Sequence, residues 1–113
     1  MSKPAENDKF GCEAGPQGFT ATAHRDANGR RRVTVKGTCS CRTPGYTLTL
    51  EIASPGTVAT PYELHLNLGE KKPDGIVTPV ITPTDVEGTF DITDEVERVV
   101  IRNRGFEVPV KDE

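Results

Sequence analysis

Three cysteines and two histidines are the residues best suited to chemistry in this 113-residue chain. Cys39 and Cys41 stand two apart, and on an extended strand that spacing puts both side chains on one face. Neighbours along one strand face are too far apart and too nearly parallel to bridge each other comfortably. A disulfide would therefore join Cys12 to Cys39 or to Cys41 and leave one thiol unpaired. The same sulfurs could instead hold a metal: Cys12, Cys39 and Cys41 with His24 or His65 offer thiolates and an imidazole, a donor set that suits zinc or copper(I). The paired Cys-x-x-Cys spacing of structural zinc sites is absent, and so is any Cys-x-x-Cys that would lower a thiol pKa for redox work. The plainest reading makes Cys39 and Cys41 small buried hydrophobes, as free cysteine commonly is.

The remaining constellations are sparse. Nucleophilic catalysis needs a Ser or Cys beside a His that a carboxylate orients. Ser40 and Ser54 have no nucleophile-elbow context, and Ser2 lies near the N-terminus. His24 and His65 both fall at outward strand positions and are expected to be solvated. Asp91, Asp94 and Glu95 cluster without the oxygen-ligand repeat of a calcium loop. Arg25, Arg30, Arg31, Arg32 and Lys36 gather on one hairpin of a chain whose net charge is −3, a patch able to contact an anion or an acidic partner. Four Phe and two Tyr, mostly assigned inward, leave no stacking platform beside that charge, so nucleic acid is not expected. No Gly-rich phosphate loop precedes a helix. No catalytic constellation and no cofactor are expected.

The elements that must position these residues are short period-two segments. Phe19, Ala21 and Ala23 form one inward row; Val33 and Val35 form the next, after an Asn28-Gly29 hairpin turn with positive φ. Tyr46, Leu48, Leu50 and Ile52 follow, then Tyr62, Leu64, Leu66 and Leu68, then Val86, Gly88, Phe90 and Ile92. Val99 and Ile101 pair with Phe106, Val108 and Val110 across Asn103-Arg104-Gly105, a connection suited to a type I turn with a Gly bulge. Pro73, Pro79 and Pro83 make the stretch from Pro73 to Thr84 a loop, with a short edge strand at Ile76 to Ile81. At most one helical turn is expected, at Asp94 to Glu97, where the acids have capping-box spacing.

These segments predict an all-β fold: a single antiparallel β-sandwich of seven or eight strands, immunoglobulin-like or fibronectin-III-like in size and spacing, over residues 18–113. The absence of Trp removes one immunoglobulin hallmark. Residues 1–17 read as a flexible N-terminal arm with neither the apolar run of a secretory signal nor a membrane span. The location is cytoplasmic if Met1 is the native start, and otherwise that of an exported mature domain. The functional expectation is a small, soluble, non-catalytic interaction or accessory module, monomeric or weakly dimeric. It would bind a protein partner through the Pro73 to Thr84 segment, a sheet edge or the Ser54 to Pro61 loop. The alternative is a metal-binding or redox protein built on Cys12, Cys39 and Cys41.

Overall fold

The computed structural model describes residues 10–53 and 61–113. Eight strands follow in chain order: β1 (Cys12–Glu13), β2 (Phe19–Arg25), β3 (Arg31–Cys41), β4 (Thr47–Ile52), β5 (Glu63–Lys71), β6 (Thr82–Asp91), β7 (Arg98–Ile101) and β8 (Phe106–Asp112), with a 3₁₀ turn at Pro16–Gly18. Both β2 and β6 pair with the Arg32 to Gly37 part of β3 and so must flank it on opposite sides. β6 also covers Ser40 and Cys41, which leaves β1 on the β2 side. From β2 the sheet continues through β8, β7 and β5 to β4. The end strands β4 and β6 approach each other, since a Cβ placed on Gly88 would lie 3.4 Å from Leu50 Cβ, but they share no ladder. One continuous sheet curls upon itself without closing.

The period-two rows meet in the interior of the curl. Val33, Val35, Leu66, Leu68, Val99 and Ile101 are fully buried, and burying each is worth roughly 1.5–3 kcal/mol before entropy is charged against it. Phe19 meets Phe106 edge-on at 5.4 Å between centroids. Its ring also lies across Gly37, where a Cβ would fall 2.4 Å from ring carbons, so only glycine fits that point of β3.

Several expectations need correction. The pairing is mixed rather than antiparallel throughout: β2 with β8 and β5 with β7 are parallel. Alternation along a strand tells its two faces apart but carries no information on the direction of its neighbours. β8 is divided, pairing β7 at Phe106 to Pro109 and β2 at Val110 to Asp112. Ile76 to Ile81 forms no strand, because a three-residue turn from Val80 N–H to Thr78 C=O (2.8 Å) centres on Pro79, whose fixed φ suits it. Pro83, by contrast, does sit in a strand. The bond from Ile92 N–H to Arg31 C=O sets the phase of the β3–β6 ladder, and odd-numbered positions of β6 then face the open edge, where no ladder donor is needed.

The first hairpin turns at Asp26 to Gly29, not on two residues of positive φ. Gly29 alone has that conformation (φ 80°), and Asp26 Oδ1 accepts from Asn28 and Arg30 N–H. The second expected turn does place Gly105 at positive φ (73°), but the loop is four residues, Arg102 to Gly105, between the paired Ile101 and Phe106, with Arg104 and Gly105 N–H both on Ile101 C=O, rather than three residues with a bulge. At Asp94 to Glu97 there is a hydrogen-bonded turn, not a helix, and Thr93 Oγ1 rather than an acid caps it. Ile52 and Tyr62, expected inward, are about half exposed because they stand where β4 ends and before β5 begins. Within the expected arm, residues 10–17 hold β1 and lead into the 3₁₀ turn; its first nine residues, and the 54–60 part of the Ser54 to Pro61 loop, lie outside the described residues.

Candidate functional site

The sulfur-bearing residues collect at one end of β3. Arg42 N–H bonds Gly11 C=O (2.9 Å), so Cys12 and Cys41 form the non-hydrogen-bonded pair next to it, the position at which facing side chains come closest. They are joined as a disulfide. Cys39 is left as a buried free thiol, and burial pushes its pKa up, with Glu70 adding to the effect and Arg104 opposing it. Such a thiol is a poor nucleophile and a poor ligand. His24 pairs with Arg32, seven residues along β3 from Cys39 and on the opposite sheet face; at the rise of a strand that is roughly 23 Å. Cys12, Cys39, Cys41 and His24 are therefore not brought together as a ligand set. Among the described residues no group of three or more His, Cys, Asp or Glu is placed to hold a metal.

Beyond the disulfide, side chains complete what the backbone ladder does not reach. The Glu70 carboxylate accepts from Gly11 N–H (2.8 Å) and Cys12 N–H (3.0 Å), while Arg104 donates to Cys12 C=O (2.8 Å) and to Glu70 (2.7 Å). Together this pair serves β1 as a neighbouring strand would. Phe10 caps the guanidinium at 3.7 Å, and Arg104 is only 5% exposed. A hollow bordered by Phe10, Glu13, Ala14 and Gly105 opens beside it, but Arg104 Nε, the donor left without an acceptor, is sealed from solvent and cannot serve a ligand there. Asn103 acts likewise, its amide donating to Leu68 C=O (2.9 Å) and accepting from Leu68 N–H (3.0 Å).

The third member of this turn reaches a titratable cluster. Arg102 Nε donates to His65 Nδ1 (3.1 Å), and His65 Nε2 contacts Glu63 Oε1 (2.9 Å). Guanidinium has only N–H donors and no lone pair to accept with, so Nδ1 must be the unprotonated nitrogen and Nε2–H the donor to Glu63. Glu63 also receives Arg98 (2.8 Å), and the bonds from His65 first and Arg98 second hold its carboxyl below the usual range. His65 is thus not the solvated residue expected: its side chain is 16% exposed and both ring nitrogens are engaged. The signal was in the sequence, since Glu63 and His65 share a face of one segment and Arg98 and Arg102 share a face of another. A Glu–His pair invites comparison with a catalytic dyad, but among the described residues no hydroxyl is bonded to the imidazole. Ser40 lies opposite Glu13 and Pro83, and Ser2 and Ser54 fall outside the described residues.

The basic hairpin is largely answered by acids. Arg25 bonds Asp94 (2.8 Å), Arg31 bonds Asp112 (2.9 Å), and Arg32 bonds Asp91 (2.8 Å) with Asp26 at 3.7 Å. Lys36 stands opposite Glu87 in the ladder, and Arg30 is exposed at the turn. The pairs at Asp91 and Asp94 also commit two of the three acids that might have bound calcium; Glu95 is on the adjoining exposed turn. Among the described residues, three of the exposed large aliphatics lie close together. Ile76 is fully exposed, Val80 54% and Ile81 67%, all within ten residues between β5 and β6. Compared with protein-family models, with curated proteins and with solved structures, the chain gave no match in any of the three.

Proposed function

We propose that this protein is a non-catalytic interaction module whose partner-binding element is the loop of residues 72–81. The observation that carries this is the concentration of Ile76, Val80 and Ile81 on one Pro-containing loop. Single exposed aliphatics are ordinary, whereas a cluster on one loop is a feature of binding surfaces. The polar groups at the sulfur end, at His65 and on the first hairpin are mostly engaged with one another, which supports a structural rather than a catalytic use for them. We read the curled sheet as two facing layers, β1, β2, β3 and β6 against β4, β5 and β7, linked through β8, in the manner of a sandwich. In this reading the scaffold holds the loop out, and Pro79 limits the conformations it loses on binding.

The partner is a protein surface with an apolar groove able to take an extended segment. The test is the triple substitution Ile76→Ser, Val80→Ser and Ile81→Ser. Because all three side chains are exposed, folding stability should change by less than about 0.5 kcal/mol per site. Partner capture, or self-association measured by sedimentation, should fall at least tenfold. Undiminished capture by the folded triple variant would remove the loop from the interface.

A further inference from the structure

Three consecutive side chains of the β7–β8 turn grip β5: Arg102 takes His65, Asn103 takes the Leu68 backbone and Arg104 takes Glu70. The β5–β7 ladder ends at Leu66 and Ile101, so from there the turn is held to β5 chiefly by this clasp and by Arg102 N–H on Leu66 C=O (2.7 Å). Of the three grips, one includes an imidazole, the side chain suited to changing charge near neutrality.

We propose that His65 is a proton-operated release for the Arg102 grip. With Nδ1 accepting from Arg102 and Nε2–H donating to Glu63, the ring is neutral and a second proton from solvent can add only at Nδ1. Once it does, Nδ1–H faces the Arg102 donor, the 3.1 Å bond has no acceptor, and two cations stand where a hydrogen bond was. The Glu63 contact survives and becomes an ion pair. Proton uptake therefore moves the imidazole's allegiance wholly to Glu63 on its own strand and breaks its bond to Arg102.

The surrounding charges come from three further strands. β7 brings Arg98, bonded to Glu63, as well as Arg102 at its end. β8 brings Glu107, opposite Val100, which is itself opposite His65, and 3.7 Å from Arg98. From β4, Glu51 stands opposite Asn67, the next residue on the same face of β5. Among the described residues Glu97, 3.9 Å from Arg98, is the last of these charges. Glu63 is already shared with Arg98, so it cannot simply take over Arg102. Asn103 and Arg104 keep their grips, because neither the amide nor the Glu70 pair depends on an imidazole. The release is local.

Nitrogen-15 NMR of the folded protein tests this between about pH 8 and pH 4. The expected result at high pH is a neutral ring with its proton on Nε2 and a slowly exchanging Arg102 Nε–H. Through the ring's titration, the protection of Arg102 Nε–H, its exchange rate relative to that of an unprotected guanidinium at the same pH, should fall at least tenfold with the same midpoint, while the Leu68 amide stays protected. His65→Gln, whose amide oxygen can accept from Arg102 without titrating, should leave that protection unchanged over the same pH range. A ring protonated on Nδ1 at high pH, or an Arg102 Nε–H equally protected on both sides of the midpoint, would overturn the proposal.

Discussion

Replacing both bridged cysteines, Cys12→Ala with Cys41→Ala, tests what the disulfide contributes. The bond spans 29 residues of sequence, and a loop of that length in the unfolded chain gives a loop-closure contribution of about 3.6 kcal/mol at 25 °C. For a chain of 113 residues the unfolding entropy is about 0.24 kcal/mol/K, so the melting temperature should fall by about 15 °C. With both replaced, Cys39 is the one cysteine left in the sequence and has no partner in the chain to pair with. In the folded variant β1 should stay attached, because Glu70 and Arg104 still serve Gly11 and Cys12 from the other side. The amide spectrum outside the neighbourhood of β1 and the end of β3 should therefore be unchanged. The effect belongs to the unfolded state, so a denaturant titration should also show a larger m-value as the unlinked chain expands. Calorimetry and urea titration on the two proteins suffice. A fall in melting temperature under about 5 °C with an unchanged m-value would refute the loop-closure argument.

Other perturbations have equally definite outcomes. Glu70→Gln leaves the Arg104 guanidinium, 5% exposed, without its carboxylate, and should cost about 3 kcal/mol in a denaturant titration; Glu70→Gln with Arg104→Met should cost clearly less than the two single changes summed, and strict additivity would contradict the pairing. Gly37→Ala drives a methyl into the Phe19 ring at 2.4 Å and should cost about 1–3 kcal/mol, largely recovered by combining it with Phe19→Leu. Glu63 is held below its ordinary value near 4.5 by His65 and Arg98, so the unfolded chain takes up its proton first; the stabilisation is complete above about pH 4.5 and is lost as the pH falls through the depressed value. Melting temperatures measured from pH 6 downward should show a shallower acid decline for Glu63→Gln than for the parent, and parallel curves would argue against it.

The rows of apolar residues in β2, β3, β5, β7 and β8 were legible because a half-buried strand writes its two faces into odd and even positions. Cys39 and Cys41 were legible as buried for the same reason, but parity could not choose between them as the partner of Cys12. That choice is made by the register in which Glu13 meets Ser40, which depends on where the 3₁₀ turn lets the chain rejoin β3. Strand direction escaped for a similar reason: β2 with β8 and β5 with β7 are contacts between distant segments, and no local pattern encodes them. The turn ending at Gly105 could be read for its place and its positive-φ glycine, but not for its length, which the pairing of Ile101 with Phe106 sets at four residues. Its grip on β5 could not, because it rests on a neighbour more than thirty residues away. His65 sat at a parity that normally faces water and is enclosed by residues of β7 that only the folded sheet brings beside it.

The division of β8 between β7 and β2 bears on how the protein is made. Until Phe106 to Asp112 are available, the hairpin half containing β2, β3 and β6 and the half containing β4, β5 and β7 have no shared ladder. During synthesis the strand that unites them emerges after both. Each half should thus wait at the ribosome with an unsatisfied border, and cooperative assembly should begin only when β8 leaves the exit tunnel.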